Sequence, residues 1–313
     1  MPSKLTAPQI KAANHNFTEL LLQGEAGVKQ ANVMMADYTR LQVLEDSFFR
    51  KILPMERATD DELVPQIDND EPVMLFEREP GSPAAVGVPF GGANPSGMQV
   101  LGHRYALTFF RIQTRKFYKD VIQLRTYRMD IRQVLSDNSI KKVLELEDTY
   151  FIETINALLG GMGVTVPLSG TIQWEEIFGG IDRNTLQEFA KILPRTPSRL
   201  ECARALVNNL TVREIVKFGR DEMGGDKSED LLWNGWTKER FMDIDWMVTI
   251  KQQLVPDDNI FGFADPRFMG QARSLEDLTM HVRTEAYMVH WYSYEAIGAT
   301  IGNTNSVCRA TFH

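Results

Sequence analysis

Between Glu56 and Arg132 the charges of this chain are sorted by sign, and that sorting limits what the segment can fold into. Its first part is acidic: Glu56, Asp60, Asp61, Glu62, Asp68, Asp70, Glu71, Glu77 and Glu79 stand against Arg57 and Arg78. A nearly uncharged stretch rich in turn residues follows, from Gly81-Ser82-Pro83 to Gly97. The last part is basic, with Arg104, Arg111, Arg115, Lys116, Lys119, Arg125, Arg128 and Arg132 opposed by Asp120 and Asp130. An arm built this way is expected to have little core of its own. It gains a counterpart if the acidic part of one copy lies on the basic part of another. The pattern therefore points to self-association before it points to chemistry.

The middle of that block is punctuated by Pro65, Pro72, Pro80, Pro83, Pro89 and Pro95 and by Gly81, Gly87, Gly91, Gly92, Gly97 and Gly102. Proline removes a backbone donor and restricts the residue before it, so long helices are excluded. Pro72 to Glu79 reads as a strand and Met98 to Leu101 as the start of its return. Interleaved apolar residues (Met74, Leu75, Phe76, Val86, Val88 and Phe90) predict an ordered two-stranded arm, since so long a loop is uncommon unless it binds something. Met74, Phe76, Val88 and Phe90 are expected to be buried against a neighbour.

The chain has 313 residues, enough for a buried core. Its hydrophobic content of 43% and charged content of 24% are those of a folded protein. A net charge of −8 argues against a dedicated nucleic-acid binder, which needs a basic surface to neutralise phosphates. Cys202 and Cys308 form no disulfide framework and no metal-ligand spacing, and read as unpaired thiols. Met1-Pro2-Ser3-Lys4 opens no secretion signal, and no eighteen apolar residues run together to span a membrane.

Ala7 to Gln23 reads as an amphipathic helix stopped by Gly24. Tyr105 to Leu124 reads as strand among basic residues. Asp137 is expected to open the longest helix, striped by Ile140, Val143, Leu144, Phe151, Ile155, Leu158 and Leu159 and ended by Gly160-Gly161, a rod of roughly 35 Å. Beyond Gly163 the texture becomes mixed. Asn184 to Leu193 is a predicted helix closed by Pro194, and Leu200 to Val207 a buried strand. Thr211 and Glu214 form a candidate capping box whose helix ends at Gly219. Met242, Ile244, Trp246, Val248 and Ile250 alternate with polar partners as a half-buried strand. Pro256-Asp257-Asp258-Asn259 is a turn before a strand from Ile260 to Phe263. Thr279 to Trp291 is extended, and Tyr294 to Phe312 holds one or two closing strands.

No phosphate-binding Gly-x-x-x-x-Gly-Lys loop and no Gly-x-Ser-x-Gly nucleophile elbow occurs. The best metal-site candidate sets Asp243 and Asp245 on one strand face, with His281 and Glu285 contributed from elsewhere. His103, His290 and His313 have no partners at ligand spacing, and Cys308 with His313 makes a poor nucleophile–base pair. Trp233, Trp236, Trp246 and Trp291 fit core or subunit contacts better than base stacking, because no basic groove is visible beside them. Neither a catalytic constellation nor a cofactor is expected.

The ordered set of segments resembles the major capsid protein of tailed bacteriophages, with its Hong Kong 97-type α+β fold. Tyr294-Glu295-Ala296-Ile297-Gly298-Ala299-Thr300-Ile301-Gly302-Asn303-Thr304-Asn305-Ser306-Val307 is similar to the strand-and-return that ends many such proteins. Pro256 to Phe263 with Asp265-Pro266, and Ala205-Leu206-Val207-Asn208-Asn209, resemble segments that precede it. The resemblance implies an N-terminal arm (1–54), an extended E-loop (55–104), a P-domain with strands and spine helix (105–162), an A-domain (163–292) and closing strands returning to the P-domain (293–313). It also implies hexamers and pentamers that tile an icosahedral shell around double-stranded DNA, bound without sequence specificity.

On that footing the E-loop residues Asp60, Asp61, Glu62, Asp70, Glu71, Phe76 and Phe90 would meet Arg111, Arg115, Arg125 and Arg128 of a neighbouring P-domain. Some relatives weld their shells through an E-loop lysine, but here no lysine lies between Lys51 and Lys116. The residues ahead of the loop are too few for a cleaved scaffolding region. The expected partners are thus a separate scaffolding protein, a portal and a decoration protein, with no membrane, in a virion assembled in the host cytoplasm. Two other readings stand beside this one: an encapsulin-like protein compartment, and a metal-dependent hydrolase using Asp243, Asp245 and His281.

Overall fold

The computed structural model describes residues 47–66, 68, 70–77, 88, 90, 104–120, 122–123, 131–160, 173–216 and 240–313, with residues 12, 15–17, 19–20, 23 and 26–31. Among the described residues no helix is long and apolar enough to cross a membrane. Phe17 and Ala31 lie in helical stretches and are buried in one cluster with Met280, Val282, Val289 and Trp291. Gly24 and Met98 to Leu101 lie outside the described residues.

Ser47 caps a short helix, α1 (Phe48–Ile52). Strand β1 (Met55–Arg57) and a 3-10 turn at Asp60–Glu62 follow. Then come β2 (Val64–Pro65), β3 (Pro72–Glu77) and β4 (Arg104–Thr108), which form a three-stranded antiparallel sheet. The arm therefore has three strands at its base, where two were expected. It also has a core: Ala58, Met74 and Leu107 are buried together, with Leu63, Phe76, Phe109 and Leu275 against them. Met74 is consequently committed within its own chain, contrary to the expectation that a neighbour would cover it. Val73 to Glu77 pairs with Thr108 to Arg104 in register, and this pairing brings the two ends of the long loop together.

The basic stretch makes β4, β5 (Phe110–Gln113) and β6 (Phe117–Asp120); residues 122–123 are helical, so the extended run stops short of Leu124. Helix α2 spans Ile131–Leu158, about 42 Å, and starts six residues before the expected Asp137. No glycine or proline interrupts Ile131 to Asp137, so the helix runs through that position instead of starting there. Ile140, Val143, Leu144, Phe151, Ile152, Ile155 and Leu159 are buried along one stripe. Each such side chain contributes about 1.5–3 kcal/mol by burial. Gly160, at φ 84°, ends the run in the left-handed conformation glycine tolerates.

Strand β7 (Trp174–Ile177) precedes α3 (Arg183–Arg195), whose N-terminus Asp182 caps by accepting from the Thr185 N–H at 2.7 Å. Pro194 lies inside the last turn of α3 instead of closing it. Strand β8 is Arg204–Asn208, shorter than the predicted Leu200 to Val207. Helix α4 (Asn209–Val216) opens one turn before the expected capping box: Asn208 Oδ1 accepts the Leu210 N–H, while Thr211 is buried and accepts from the Asp258 N–H. Gly219 lies outside the described residues.

Strands β9 (Arg240–Phe241) and β10 (Ile244–Thr249) form a hairpin through Met242 and Asp243, both at positive φ. The predicted alternation from Met242 to Ile250 therefore breaks at both ends. At its C-terminal end the order inverts: Val248 is exposed and Thr249, whose hydroxyl accepts the Lys251 N–H, is buried. The turn at Pro256 to Asn259 and the strand β11 (Asn259–Phe263) follow the prediction closely. After the short helix α5 (Pro266–Met269), the chain makes its longest strands, β12 (Gly270–Glu285) and β13 (Met288–Ile301), and closes with β14 (Val307–Phe312). The extended stretch predicted at Thr279 to Trp291 is thus the tip of a much longer hairpin, turning at Ala286-Tyr287.

Two larger sheets result. The first runs β1-β12-β13-β5, with β6 also paired to β13; the second runs β7-β14-β11-β8-β10-β9. The closing segment 293–313 accordingly divides, β13 staying in the first sheet and β14 entering the middle of the second. Helices α1 and α2 fill the space between them: one core joins Phe49, Leu144 and Ile155 to Ile112 and Ile297 of the first sheet and to Leu206 and Phe261 of the second. A second core lies on the other face of the six-stranded sheet, where Leu186, Phe189 and Ile192 of α3 cover Ala205, Val207 and Cys308.

Gly262 marks the tightest point of that second core. A Cβ there would sit 2.6 Å from Cys308 Sγ and 2.9 Å from the Phe189 ring. Gly262→Ala should cost about 1–3 kcal/mol by overpacking, read as a lower midpoint in thermal or urea unfolding. An unchanged midpoint would mean that α3 moves away freely.

Candidate assembly surface

The N-terminal segment is fastened to the body by a buried polar cluster. Asp148 of α2 accepts the Phe49 N–H at 3.0 Å, the Ser47 hydroxyl at 2.9 Å and the Lys251 ammonium. Arg50 reaches Glu147 through Nε and Nη2, at 2.9 and 2.7 Å, and Glu295 of β13 at 2.8 Å. Both glutamate side chains are fully buried. Burial raises Asp148 above the usual carboxylate range, opposed by Lys251 and the two α1 donors. Burial and the adjacent Glu147 push Glu295 up from 4.5 to about 10, against the pull of Arg50. Glu295 Oε1 is buried without a donor, which a protonated carboxyl turned to Glu147 resolves. One guanidinium then faces one carboxylate and one neutral acid, a balanced arrangement in a low-dielectric site. Sequence reading missed this cluster, because its members are separated by 97 and 245 positions.

The acidic residues of the arm face solvent. Asp60, Asp61, Glu62, Asp68, Asp70 and Glu71 are all exposed around β2 and the 3-10 turn. Glu62 accepts the Thr59 N–H at 3.2 Å, and that hydrogen bond lowers its pKa. Phe76 is half-buried, its ring 5.6 Å from Tyr105, whereas Phe90 is fully exposed. On the basic side Arg111 and Arg115 are exposed, and Arg125 and Arg128 lie outside the described residues. Acidic and basic parts meet within one chain at Glu77 and Arg104, 2.7 Å apart in the arm's own sheet. Glu56 pairs instead with Arg273 of β12 at 2.8 Å.

The metal-site candidate does not assemble. Asp243 occupies the β9–β10 turn in the six-stranded sheet, off the strand face that carries Asp245. His281 lies in the other sheet, stacked on Tyr294 with ring centres 5.1 Å apart. Among the described residues no three His, Cys, Asp or Glu side chains gather around a point that would hold a metal. Cys202 and Cys308 are buried thiols, each pushed up by desolvation, Cys202 to about 12.

The anchor has a pH signature. An unfolded Glu295 would lose its proton above about 4.5, whereas the folded one keeps it to about 10, so unfolding releases a proton in between. Stability from this group therefore falls as pH rises through that window. Glu295→Gln, neutral throughout, should flatten the decline in melting temperature between about pH 5 and pH 9. Arg50→Met should instead lose about 3–5 kcal/mol by leaving Glu147 buried and unpaired. Parallel melting curves for Glu295→Gln and the parent would contradict the assignment.

No protein-family model and no curated protein matches the sequence. Solved structures do match the fold. The virus-like particle from Pyrococcus furiosus is similar at a TM-score of 0.56 and 12% identity, over 88% of this chain and 98% of that one. The mature capsid of bacteriophage PhiM1 is similar at 0.58 and 9% identity, over 85% and 87%. The capsid of cyanophage P-SCSP1u is similar at 0.58 and 10% identity, over 85% and 88%. The two large sheets around a spine helix, with the small β2-β3-β4 sheet packed beside the first, are thus the Hong Kong 97-type fold of tailed-phage capsid proteins.

Proposed function

We propose that this chain is a major capsid protein, copies of which join as hexamers and pentamers into an icosahedral shell around the double-stranded DNA of a tailed phage. The observation that carries this reading is the extent of the fold match. It covers 85% of the chain against each of two phage capsids, at a TM-score of 0.58. In this reading residues 55–104 are the E-loop, lying over an adjacent subunit. The P-domain combines 105–162 with the β12–β13 hairpin, and the A-domain is built on the six-stranded sheet. The work of the protein is packing and not catalysis. A scaffolding protein, a portal and a decoration protein would be its partners, and the virion its final location.

Exposed charge supports the docking part of the proposal. Carboxylates at Asp60, Asp61, Glu62, Asp70 and Glu71 and guanidinium groups at Arg111 and Arg115 stand in solvent within one chain. Each exposed pair made with a neighbour contributes little alone, ~0–1 kcal/mol, but sets register and speeds encounter. Phe90, left fully exposed, supplies an apolar contact of the kind that buries well against a second surface. Arg125 and Arg128 complete the proposed acceptor.

A protein compartment without a genome is the second reading, favoured by the match to 98% of the Pyrococcus furiosus virus-like particle chain. Nucleic acid recovered from isolated particles separates the two. The direct test of docking reverses Asp60, Asp61 and Glu62 to lysine. Circular dichroism should be unchanged, while sedimentation and electron microscopy should show capsomers or monomers in place of shells. Normal shells from that variant would refute the docking, and a parent chain that never exceeds a small oligomer would refute the capsid reading.

A further inference from the structure

The two carboxyl oxygens of Asp148 have different surroundings. Oδ1 accepts the Phe49 N–H at 3.0 Å and the Ser47 hydroxyl at 2.9 Å, while Oδ2 is in contact with Lys251 Nζ. The carboxyl is fully buried, and the lysine side chain is one-quarter exposed. Phe48, itself buried, lies beside the pair, with its ring centre 5.6 Å from Lys251 Nζ. The backbone that carries the lysine is fixed. Lys251 N–H donates to Thr249 Oγ1 at 3.1 Å, and its carbonyl accepts the N–H groups of Leu254 and Val255, each at 3.1 Å.

Two donors on one carboxyl oxygen and an amine against the other are what acyl transfer requires. The Phe49 N–H and the Ser47 hydroxyl are placed as an oxyanion hole. A lysine becomes a nucleophile when a neighbour takes its proton, and Oδ2 is that neighbour. Burial holds Asp148 above the usual carboxylate range, which favours arrival of the proton there. As an ion pair the two groups keep two charges out of water, whereas the amide they can form is neutral. Contact inside a folded chain also replaces a dilute encounter of acid and amine. For well-oriented groups it reaches effective molarities of about 10⁵ M or more.

We propose that Lys251 and Asp148 condense into an isopeptide bond, an intrachain amide between the lysine Nζ and the aspartate Cγ. The ammonium passes one proton to Oδ2, leaving a neutral amine beside a neutral acid. The nitrogen lone pair attacks Cγ, and the Phe49 N–H and Ser47 hydroxyl hold the negative charge that develops on Oδ1. A second proton then moves from the nitrogen to Oδ2 as the Cγ–Oδ2 bond breaks, and Oδ2 departs as water. One ammonium and one carboxylate thus give one amide and one water, and nothing else enters or leaves. The bond joins positions 103 apart and ties the spine helix to the turn after β10. Closing so long a loop restricts the unfolded chain and favours the folded one. It lies within a single copy, so the capsid reading is not one of its premises.

Intact-mass spectrometry of the full chain in denaturant tests the proposal. The parent should weigh one water less than its sequence, and proteolysis should release a branched peptide that joins the segments around Asp148 and Lys251. Lys251→Arg, which keeps the positive charge, should show the full sequence mass and a lower midpoint of thermal unfolding. Asp148→Asn should form the same bond and lose ammonia in place of water. Ser47→Ala, which withdraws one donor, should slow the reaction by about 100-fold and leave uncondensed chain in fresh preparations. Circular dichroism checks that each variant is folded. A parent that stays at its full sequence mass through prolonged warm incubation in the folded state overturns the proposal. So does a loss of water that persists in Lys251→Arg, since it would mark a cyclised aspartate, or a digest without the branched peptide.

Discussion

Everything in this molecule is arranged around the burial of α2 against two different sheets at once. Its stripe from Ile140 to Leu159 meets Ile112 and Ile297 on one side and Leu206 and Phe261 on the other. A 28-residue helix covered along only one flank would leave a long apolar edge in water. The helix therefore ties the first sheet, where the arm is rooted, to the second through one continuous core. The buried cluster of Arg50, Glu147, Asp148, Glu295 and Lys251 is a consequence of that geometry. It sits where α1, α2 and β13 meet, and its hydrogen bonds admit one arrangement of the three.

The arm obeys a different logic. Its base is a small folded unit, with Met74 and Leu107 buried and Gly298 leaving room for Leu107 and Phe109 to lie on β13; a Cβ at Gly298 would be 2.4 Å from Leu107. Beyond that base the residues turn outward: Leu75 and Val88 are partly exposed, Phe90 wholly so, and the carboxylates from Asp60 to Glu71 stand in solvent. Carboxylates and a phenylalanine ring exposed beside a packed base suit an intermolecular role. The capsid proposal uses both halves of this arrangement.

Much of the fold was legible in the chain, and the parts that were not have physical reasons. Helix periodicity located the spine, yet Asp137 was mistaken for its start, since a carboxylate suits a cap, whereas nothing from Ile131 to Asp137 breaks a helix. Pro194 and Thr211 were misread in the same way, as local signals overridden by neighbours. The alternation around Trp246 held for Ile244 to Trp246, but Val248 and Thr249 reversed their expected places where the strand ends and the Thr249 hydroxyl accepts the Lys251 N–H. For the candidate surface, the sorted charges were visible at once. The Arg50 anchor and the pairing of Asp148 with Lys251 were not, because each is assembled by strands and helices far apart along the chain.

By itself, then, the sequence determined the signs and order of the charges, the long helix and the turn-rich arm, since these follow from composition and short-range spacing. Only the tertiary structure decided that Met74 would be spent inside the arm's own core, that Glu295 would be buried beside Glu147, and that Lys251 would stand against Asp148. Those outcomes depend on which strands pair and on how deeply a group is removed from water. Neither quantity exists until the long-range contacts form.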